Sequence, residues 1–511
     1  MTLPLVFLIG AGPGDPGLLT VRGLQCLRSA DVVVYDAGVP ARLLDYARPS
    51  AELIAVGPAT TAEHAQEAIS YLVADKAREG KRVARLAWGD SFVFERGGEE
   101  ALYLHEQGIA FEVVPGVPAG IGVPAYAGVP TTYAGGGGTL TIVGAFDDDH
   151  RTSAADWASL ARLGGTVVCH AGASRLPGIL EEMGANGWTD GQVMLVYNGT
   201  LPSQQTFTGT PAELLERVRA NPRREPATII AGRVIGFRDH LRWFDTRPLF
   251  GRRVLVTRPR AQAMELVDPL QALGADTIEA PMIRIAPPED IGPLARAARE
   301  PDAFDWIVFT SANAVDAFMG ALLNDNRDVR ALSGPRLCAV GPGTSQALAR
   351  YNLTADLVPA EYRAEAVLTA LADRVTLDGA RVLLPRADIG REVIVEGLRA
   401  AGSVVTDVVA YRTVAEDTQR AGYPDVYGML LDGRIDVVIF TSASAVRNFS
   451  TLYGAEQVSD LLGRTAVAVI GPVTGEAATQ LNIPVAIQPS TYTVPALVEA
   501  IAAHFTPSTP S

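Results

Sequence analysis

Hydroxyl side chains at the starts of helices are the chemistry most plainly written in the second half of this chain. Phe-Thr-Ser-Ala-Asn-Ala-Val occupies 309–315 and Phe-Thr-Ser-Ala-Ser-Ala-Val occupies 440–446. Each is trailed by a Gly-Pro turn with a threonine, Val-Gly-Pro-Gly-Thr at 340–344 and Ile-Gly-Pro-Val-Thr at 470–474. Ser311, Thr344, Ser442 and Thr474 would offer hydroxyls, and the helices they open would offer unpaired backbone N–H groups, a pairing suited to anions. The same residues are also preferred helix caps, so the pattern serves the fold whether or not it touches a ligand. In the first half, Gly-Ala-Gly-Pro-Gly-Asp-Pro at 10–16 follows an apolar run and precedes a helix expected to start near Leu18. Its glycines let backbone N–H groups approach a ligand, but its prolines set it apart from the G-x-G-x-x-G dinucleotide fingerprint.

The elements that must carry these groups alternate between strand and helix. Apolar runs at 6–10, 32–35, 83–86, 111–114 and 140–143 are separated by helical stretches such as 62–79 and 99–107, an α/β pattern. Further strands are expected at 167–169, 193–197 and 228–232. Near 245–252 the pattern resets, and Arg-Val-Leu-Val-Thr-Arg-Pro at 253–259 reads as a new opening strand. The repeated Phe-Thr-Ser unit predicts two similar α/β lobes with a cleft between them.

Composition narrows the function classes. A chain of 511 residues implies several compact units, and its formal charge of −14 opposes general affinity for nucleic acid or an anionic membrane. The three cysteines, Cys26, Cys169 and Cys338, have no metal or disulfide spacing, which fits a reducing cytoplasm. The six histidines show no i, i+4 pair, so no metal site is expected. The apolar start reads as a first strand and no window is long enough to span a membrane.

The first half, about 5–244, resembles uroporphyrinogen-III C-methyltransferase of the tetrapyrrole methylase family. The resemblance rests on the Gly-rich phrase at 10–16, Leu-Leu-Thr-Val-Arg-Gly at 18–23, Ala-Asp-Val-Val-Val-Tyr-Asp at 30–36 and Gly89-Asp90. It continues through Arg-Gly-Gly-Glu-Glu at 96–100, Val-Pro-Gly-Val at 114–117 and Pro-Ala-Tyr-Ala-Gly-Val-Pro at 124–130. It implies an S-adenosylmethionine site between two α/β lobes, at Gly12, Pro13, Gly14, Asp15, Gly89, Asp90, Val93, Pro118, Ala119, Ala171 and Gly199, with Asp36 as a catalytic acidic residue. The departures fall on cations: Ala37 follows Asp36 where the family has arginine, Pro58 and Ala59 replace a Lys-Arg pair, Ala87 replaces a lysine, and Tyr133-Ala134 replaces His-Arg. Trp88 stands where the family has glycine, and His170-Ala171-Gly172 replaces Tyr-Met-Gly. Each lost charge-assisted hydrogen bond to a substrate carboxylate is worth about 1.5–3 kcal/mol, so methyl transfer is expected to be weak, altered or lost.

The second half, about 251–503, resembles uroporphyrinogen-III synthase. Its phrases include Val-Leu-Val-Thr-Arg-Pro at 254–259, both Phe-Thr-Ser units, Val-Leu-Leu-Pro-Arg-Ala at 382–387 and Val-Ala-Tyr-Arg-Thr at 409–413. The resemblance implies cyclisation of hydroxymethylbilane to uroporphyrinogen III, with inversion of the last pyrrole ring and loss of water. Tyr411 aligns with the tyrosine proposed in the family to donate to the departing hydroxyl. Ser311, Thr344, Ser442 and Thr474 are then expected to hold acetate and propionate groups, with Arg258, Arg386, Arg391 and Arg412 as candidate carboxylate partners.

The expected architecture is therefore a two-lobed tetrapyrrole methylase-like domain, 1–245 with lobes of about 1–134 and 135–245, followed by a two-lobed synthase domain, 250–505. The latter would consist of lobe one, about 250–286 with 413–505, and lobe two, about 287–412. The expected activity is uroporphyrinogen-III synthase, without a cofactor, fused to a methyltransferase-like half that takes S-adenosylmethionine. A fully bifunctional enzyme making precorrin-2, and a first half that only binds S-adenosylmethionine or tetrapyrrole, are the alternatives. A homodimer through the first half is expected from the same resemblance.

Overall fold

The computed structural model describes residues 5–57, 62–134, 138–146, 155–188, 193–359, 364–388, 393–415, 424–454 and 457–506. Pro58, Ala59 and Arg391 lie outside them. The chain divides into two compact units, Met1–Arg253 with Pro269–Asp276 and Ala502–Ser511, and Val254–Asp268 with Thr277–Ile501.

The first unit holds two sheets. One is built from β1 (Leu5–Gly10), β2 (Val32–Asp36), β3 (Glu52–Val56), β4 (Val83–Ala87) and β5 (Ala110–Val114), all parallel, in the order 3-2-4-1-5. Its interior strand β1 reads as an unbroken apolar run because both faces are covered: Phe7 and Ile9 enter one core and Val6 and Leu8 the other. The other sheet contains β6 (Leu140–Ala145), β7 (Thr166–Ala171), β8 (Val193–Tyr197), β9 (Gln205–Gly209) and β10 (Ala227–Ala231), in the order 6-7-10-8-9. Only its β6–β7 pair is parallel.

The Gly-rich turn after β1 does not run straight into a helix near Leu18. Asp15 accepts from Gly17 N at 2.7 Å and starts a short 3-10 turn, Pro16–Leu18, and the α-helix Val21–Ser29 begins only after Thr20 caps it through Gly23 N at 3.1 Å. The prolines explain the delay, since Pro16 fits a first helical turn but two successive caps compete for the same stretch.

In the second unit β11 (Arg253–Val256) and β12 (Asp276–Glu279) come first. The chain then builds β13 (Ile283–Ala286), β14 (Trp306–Phe309), β15 (Arg336–Ala339), β16 (Arg381–Ala387) and β17 (Val404–Ala415) into a sheet of order 13-17-16-14-15. It returns with β18 (Val437–Phe440) and β19 (Ala466–Val469), completing a sheet of order 12-11-18-19. The antiparallel β13–β17 pair lies where the chain passes from one lobe to the other.

The repeat read from the sequence is a repeat in space. Phe309 and Phe318 meet edge to face at 5.7 Å, as Phe440 and Phe449 do at 5.2 Å. Ser311 caps the helix Ala312–Asn324 and Ser442 caps Ala443–Tyr453. The helices Pro342–Arg350 and Pro472–Gln480 each carry proline in the first turn, where its missing N–H costs nothing. Among the described residues no helix is long and apolar enough to cross a membrane.

Candidate active sites

The larger cavity, about 950 Å³, belongs to the second unit. Arg258 and Gln262 reach it from the lobe-one side, Arg284 and Ile285 from β13, Asn313, Asp316 and Arg350 from lobe-two helices, and Ala410 and Tyr411 from β17. Adjacent residues of a regular strand face opposite ways, yet Ala410 and Tyr411 both line this wall. The pairing explains it: Arg386 stands beside Val409 but Ala387 stands beside Tyr411, so β17 carries one extra residue there. Tyr411 is buried, and its hydroxyl lies 3.0 Å from Ser311 Oγ, which accepts from Ala314 N at 3.1 Å.

The arginines divide sharply. Arg386 is consumed by a bidentate pair with Asp407, both contacts at 2.7 Å, and does not line the cavity. Arg412 binds Glu289 at 2.6 Å and the carbonyl of Pro287. Arg258 does line the cavity. Its Nη1 lies 3.1 Å from Glu265 Oε2 but outside hydrogen-bond geometry, and its Nε donates to Gln262 at 3.3 Å. Burial holds its pKa below the usual arginine value, with Glu265 opposing that shift, so a second anion would be welcome there. Arg284 is exposed on the cavity wall, and Arg350 pairs with Asp316 at 2.9 Å. Neither was singled out in the sequence, because nothing local distinguishes them from solvated arginines. Of the other three hydroxyls, Thr344 and Thr474 are buried and Ser442 bonds Ser444 at 3.0 Å; none of them lines this cavity.

The first unit has a smaller cavity of about 390 Å³, lined by Pro13, Trp88, Val123, Phe146, His170, Ala171, Asn198 and Gly199 among others. The backbone around it is packed so closely that glycine is required. Gly12 and Gly89 exchange two backbone hydrogen bonds, at 3.0 and 2.9 Å, and both have positive φ. A Cβ on Gly116 would lie 2.3 Å from the Gly89 carbonyl oxygen. Asp90 ties the segment down, accepting from Phe92 N at 2.8 Å and Gly116 N at 2.7 Å. Pro118 and Ala119 open the helix Ala119–Tyr126, with Gly89 against its start. Gly14 and Asp15 meet the 198–201 loop, where Asp15 N donates to Thr200 Oγ1 at 3.0 Å. Asp15 also accepts from Tyr126 at 2.7 Å, and burial, then that contact, raises the phenol pKa.

Thus Pro13, Ala171 and Gly199 line the cavity, while Gly12, Gly14, Asp15, Gly89, Asp90, Pro118 and Ala119 frame it. Val93 is exposed in the turn after Asp90 and does not line it. Asp36 is already engaged, with Arg85 at 2.6 Å and with Trp88 N at 3.2 Å. Arg85 is almost wholly buried and also pairs with Glu100 at 3.0 Å; burial alone would lower its pKa, but Glu100 and Asp36 outweigh it and hold it raised. Trp88 stands edge-on to His170 at 6.1 Å, and burial pushes His170 down to about 4, so it is neutral at physiological pH. No lysine or arginine lines this cavity among the described residues.

Residues 264–499 match the family model for uroporphyrinogen-III synthase HemD, and residues 5–215 match that for tetrapyrrole (corrin/porphyrin) methylases. The chain is 33% identical over 483 residues to the porphyrin biosynthesis protein HemD of Ruminiclostridium josui, and the alignment covers 94% of both chains. This chain belongs to the HemD family of porphyrin biosynthesis proteins. It is a HemD-type uroporphyrinogen-III synthase fused to a tetrapyrrole methylase-like domain. It is also 39% identical over 234 residues to the uroporphyrinogen-III C-methyltransferase of Priestia megaterium, covering 98% of that protein and 45% of this chain. With the Bacillus subtilis (strain 168) enzyme of the same name it shares 36% over 332 residues, 68% of that protein and 64% of this chain.

Proposed function

We propose that the 950 Å³ cavity is where the HemD half closes hydroxymethylbilane to uroporphyrinogen III, with Tyr411 donating to the leaving hydroxyl. The observation that carries this is a buried phenol on the wall of a large cavity that also presents Arg258, Arg284 and Arg350. Those cations suit a substrate rich in carboxylates, and each charge-assisted contact contributes about 1.5–3 kcal/mol. The electron push comes from the pyrrole itself, so oriented donors suffice and no strong acid or base is required. Arg258, Arg284 and Arg350 take the carboxylate role expected of Arg258 and Arg386. Ser442, Thr344 and Thr474 serve as helix-start residues in this reading.

For the first half, the fit to S-adenosylmethionine is good and the fit to a tetrapyrrole polycarboxylate is poor. A volume of about 390 Å³ suits a small ligand, and the wall of Pro13, Val123 and Ala171 with backbone near Gly199 is mostly apolar. The aromatic rings of Trp88 and Phe146 on the wall suit a cationic sulfonium, whereas no cation is present to hold carboxylates among the described lining residues. Asp36, tied to Arg85, positions the strand ends in this reading. The methylase-like half therefore binds S-adenosylmethionine and transfers its methyl group poorly or not at all. A homodimer through this half and a cytoplasmic setting belong to the same proposal.

The test feeds the full-length protein hydroxymethylbilane with labelled S-adenosylmethionine and resolves uroporphyrinogen isomers from methylated products. Isomer III without label, together with a melting temperature raised by S-adenosylmethionine, is expected. Methylated product would overturn the reading of the first half, and isomer I alone would overturn that of the second.

A further inference from the structure

We infer that Ser311 is a positioning residue for ring closure: it donates its proton to the Tyr411 oxygen and so turns the phenol O–H into the cavity. The inference rests on the synthase reading of that cavity. Sequence reasoning placed Ser311 among the groups that hold substrate carboxylates, but its geometry points to Tyr411 instead.

A serine hydroxyl has one proton and two acceptor sites. Ser311 Oγ accepts from Ala314 N at 3.1 Å and lies 3.0 Å from the Tyr411 hydroxyl. Were Tyr411 the donor, Ser311 would accept twice and its own half-buried proton would have no acceptor among the described residues. With Ser311 as donor, both of its functions are used and the phenol proton is left for an oxygen in the cavity that Tyr411 lines. Only this second arrangement pairs every polar atom once an oxygen-bearing ligand is bound. It also runs with the field of the 13-residue helix Ala312–Asn324, whose positive end lies at Ser311. The donors N–H, serine O–H and phenol O–H then point one way, each polarising the next.

The repeat supplies an internal control. Ser442 has the same cap, accepting from Ala445 N at 3.2 Å, but its side-chain partner is Ser444 Oγ at 3.0 Å, and no tyrosine hydroxyl bonds it among the described residues. The position matching Ser444 is Asn313, which accepts from Gln262 and so leaves Ser311 to Tyr411.

In the step itself the C–O bond of the hydroxymethyl group breaks, its electron pair leaving on oxygen while the pyrrole nitrogen lone pair moves toward the carbon. The departing oxygen takes the Tyr411 proton and leaves as water, and Ser311 donates to the resulting phenolate. The proton released when the final carbon–carbon bond restores the pyrrole returns to Tyr411.

Steady-state formation of isomer III from hydroxymethylbilane by the full chain tests this. Ser311→Ala is expected to lower kcat about tenfold, the worth of one hydrogen bond, with KM unchanged, and Ser311→Thr to restore most of it. In a Tyr411→Phe background, Ser311→Ala should cost nothing further. Ser311→Asp keeps the helix cap, and hence the melting temperature, but can only accept; it should draw the phenol proton from the cavity and give a kcat below that of Ser311→Ala. An equal loss in both backgrounds, a change in KM alone, or a fully active Ser311→Asp variant would overturn the inference. Full activity of Tyr411→Phe would instead remove Tyr411 from the reaction, a separate failure of the synthase-site reading.

Discussion

The two cavities of this chain differ most in charge. The cavity of the synthase unit presents three arginines on its wall, one of them desolvated and incompletely paired, whereas that of the methylase-like unit is lined by aromatic rings, small residues and backbone. The buried Arg85 of the first unit is not an exception, because Asp36 and Glu100 already neutralise it. The lesson is that a framework of glycines and caps can persist while the groups that grip a polyanion do not. What the first unit keeps is shape, and what the second adds is cationic side chains on its cavity wall.

The comparison is most sharply tested by removing the cations. The double variant Arg258→Ala, Arg284→Ala is expected to raise KM for hydroxymethylbilane a hundredfold or more, since two contacts of about 1.5–3 kcal/mol are lost, while kcat at saturation changes little. An unchanged KM would break the contrast between the cavities. Next in size, Arg85→Met leaves Asp36 and Glu100 facing each other without a cation. Calorimetry should show a loss of about 3–5 kcal/mol in the first unit, with synthase activity retained below the transition.

The neutral His170 gives a third test. Its folded pKa of about 4 lies below the ordinary 6.5, so between these values the unfolded chain binds a proton that the folded chain does not. Stability of the first unit should therefore fall as pH drops from 6.5 toward 4, by on the order of 3 kcal/mol in full, and His170→Gln should flatten that slope. Melting curves across this range decide it. The smallest effect is expected from Ser442→Ala, which loses a cap worth about 1 kcal/mol and leaves kcat and KM unchanged. A kcat loss as large as that of Ser311→Ala would erase the distinction between the two copies of the motif.

Much of the fold could be read from the sequence because its signals are local. The Phe-Thr-Ser units announce a strand end and a cap within three residues, and both copies form that structure. The helix near Leu18 was displaced to Val21 because two caps, Asp15 and Thr20, lie five residues apart and the sequence does not say which one starts the α-helix. The arginines were less legible. Arg386 looks like a ligand for carboxylates until β17 brings Asp407 beside it, and Arg284 gains its place only from the β13–β17 pairing. The cationic positions missing from the first half were visible as departures, whereas the ring of Trp88 set against His170 needed the two sheets in place.

The passage of the chain through the synthase unit also sets an order of events during synthesis. All five strands of the β13–β17 sheet lie within 283–415, so that lobe is complete once its own segment has emerged. The other lobe is not: β11 has β12 on one edge early, but its other edge finds its partner only in β18, and Thr257 donates to the Ile439 carbonyl 182 residues further on. Until the ribosome has released β18, β11 has one unpaired edge, and Leu255 lacks Val438 and Phe440 of the core it shares with them. The first-formed strand of the synthase is thus among the last to be paired on both edges, and the interval before β18 arrives leaves an open edge exposed to aggregation.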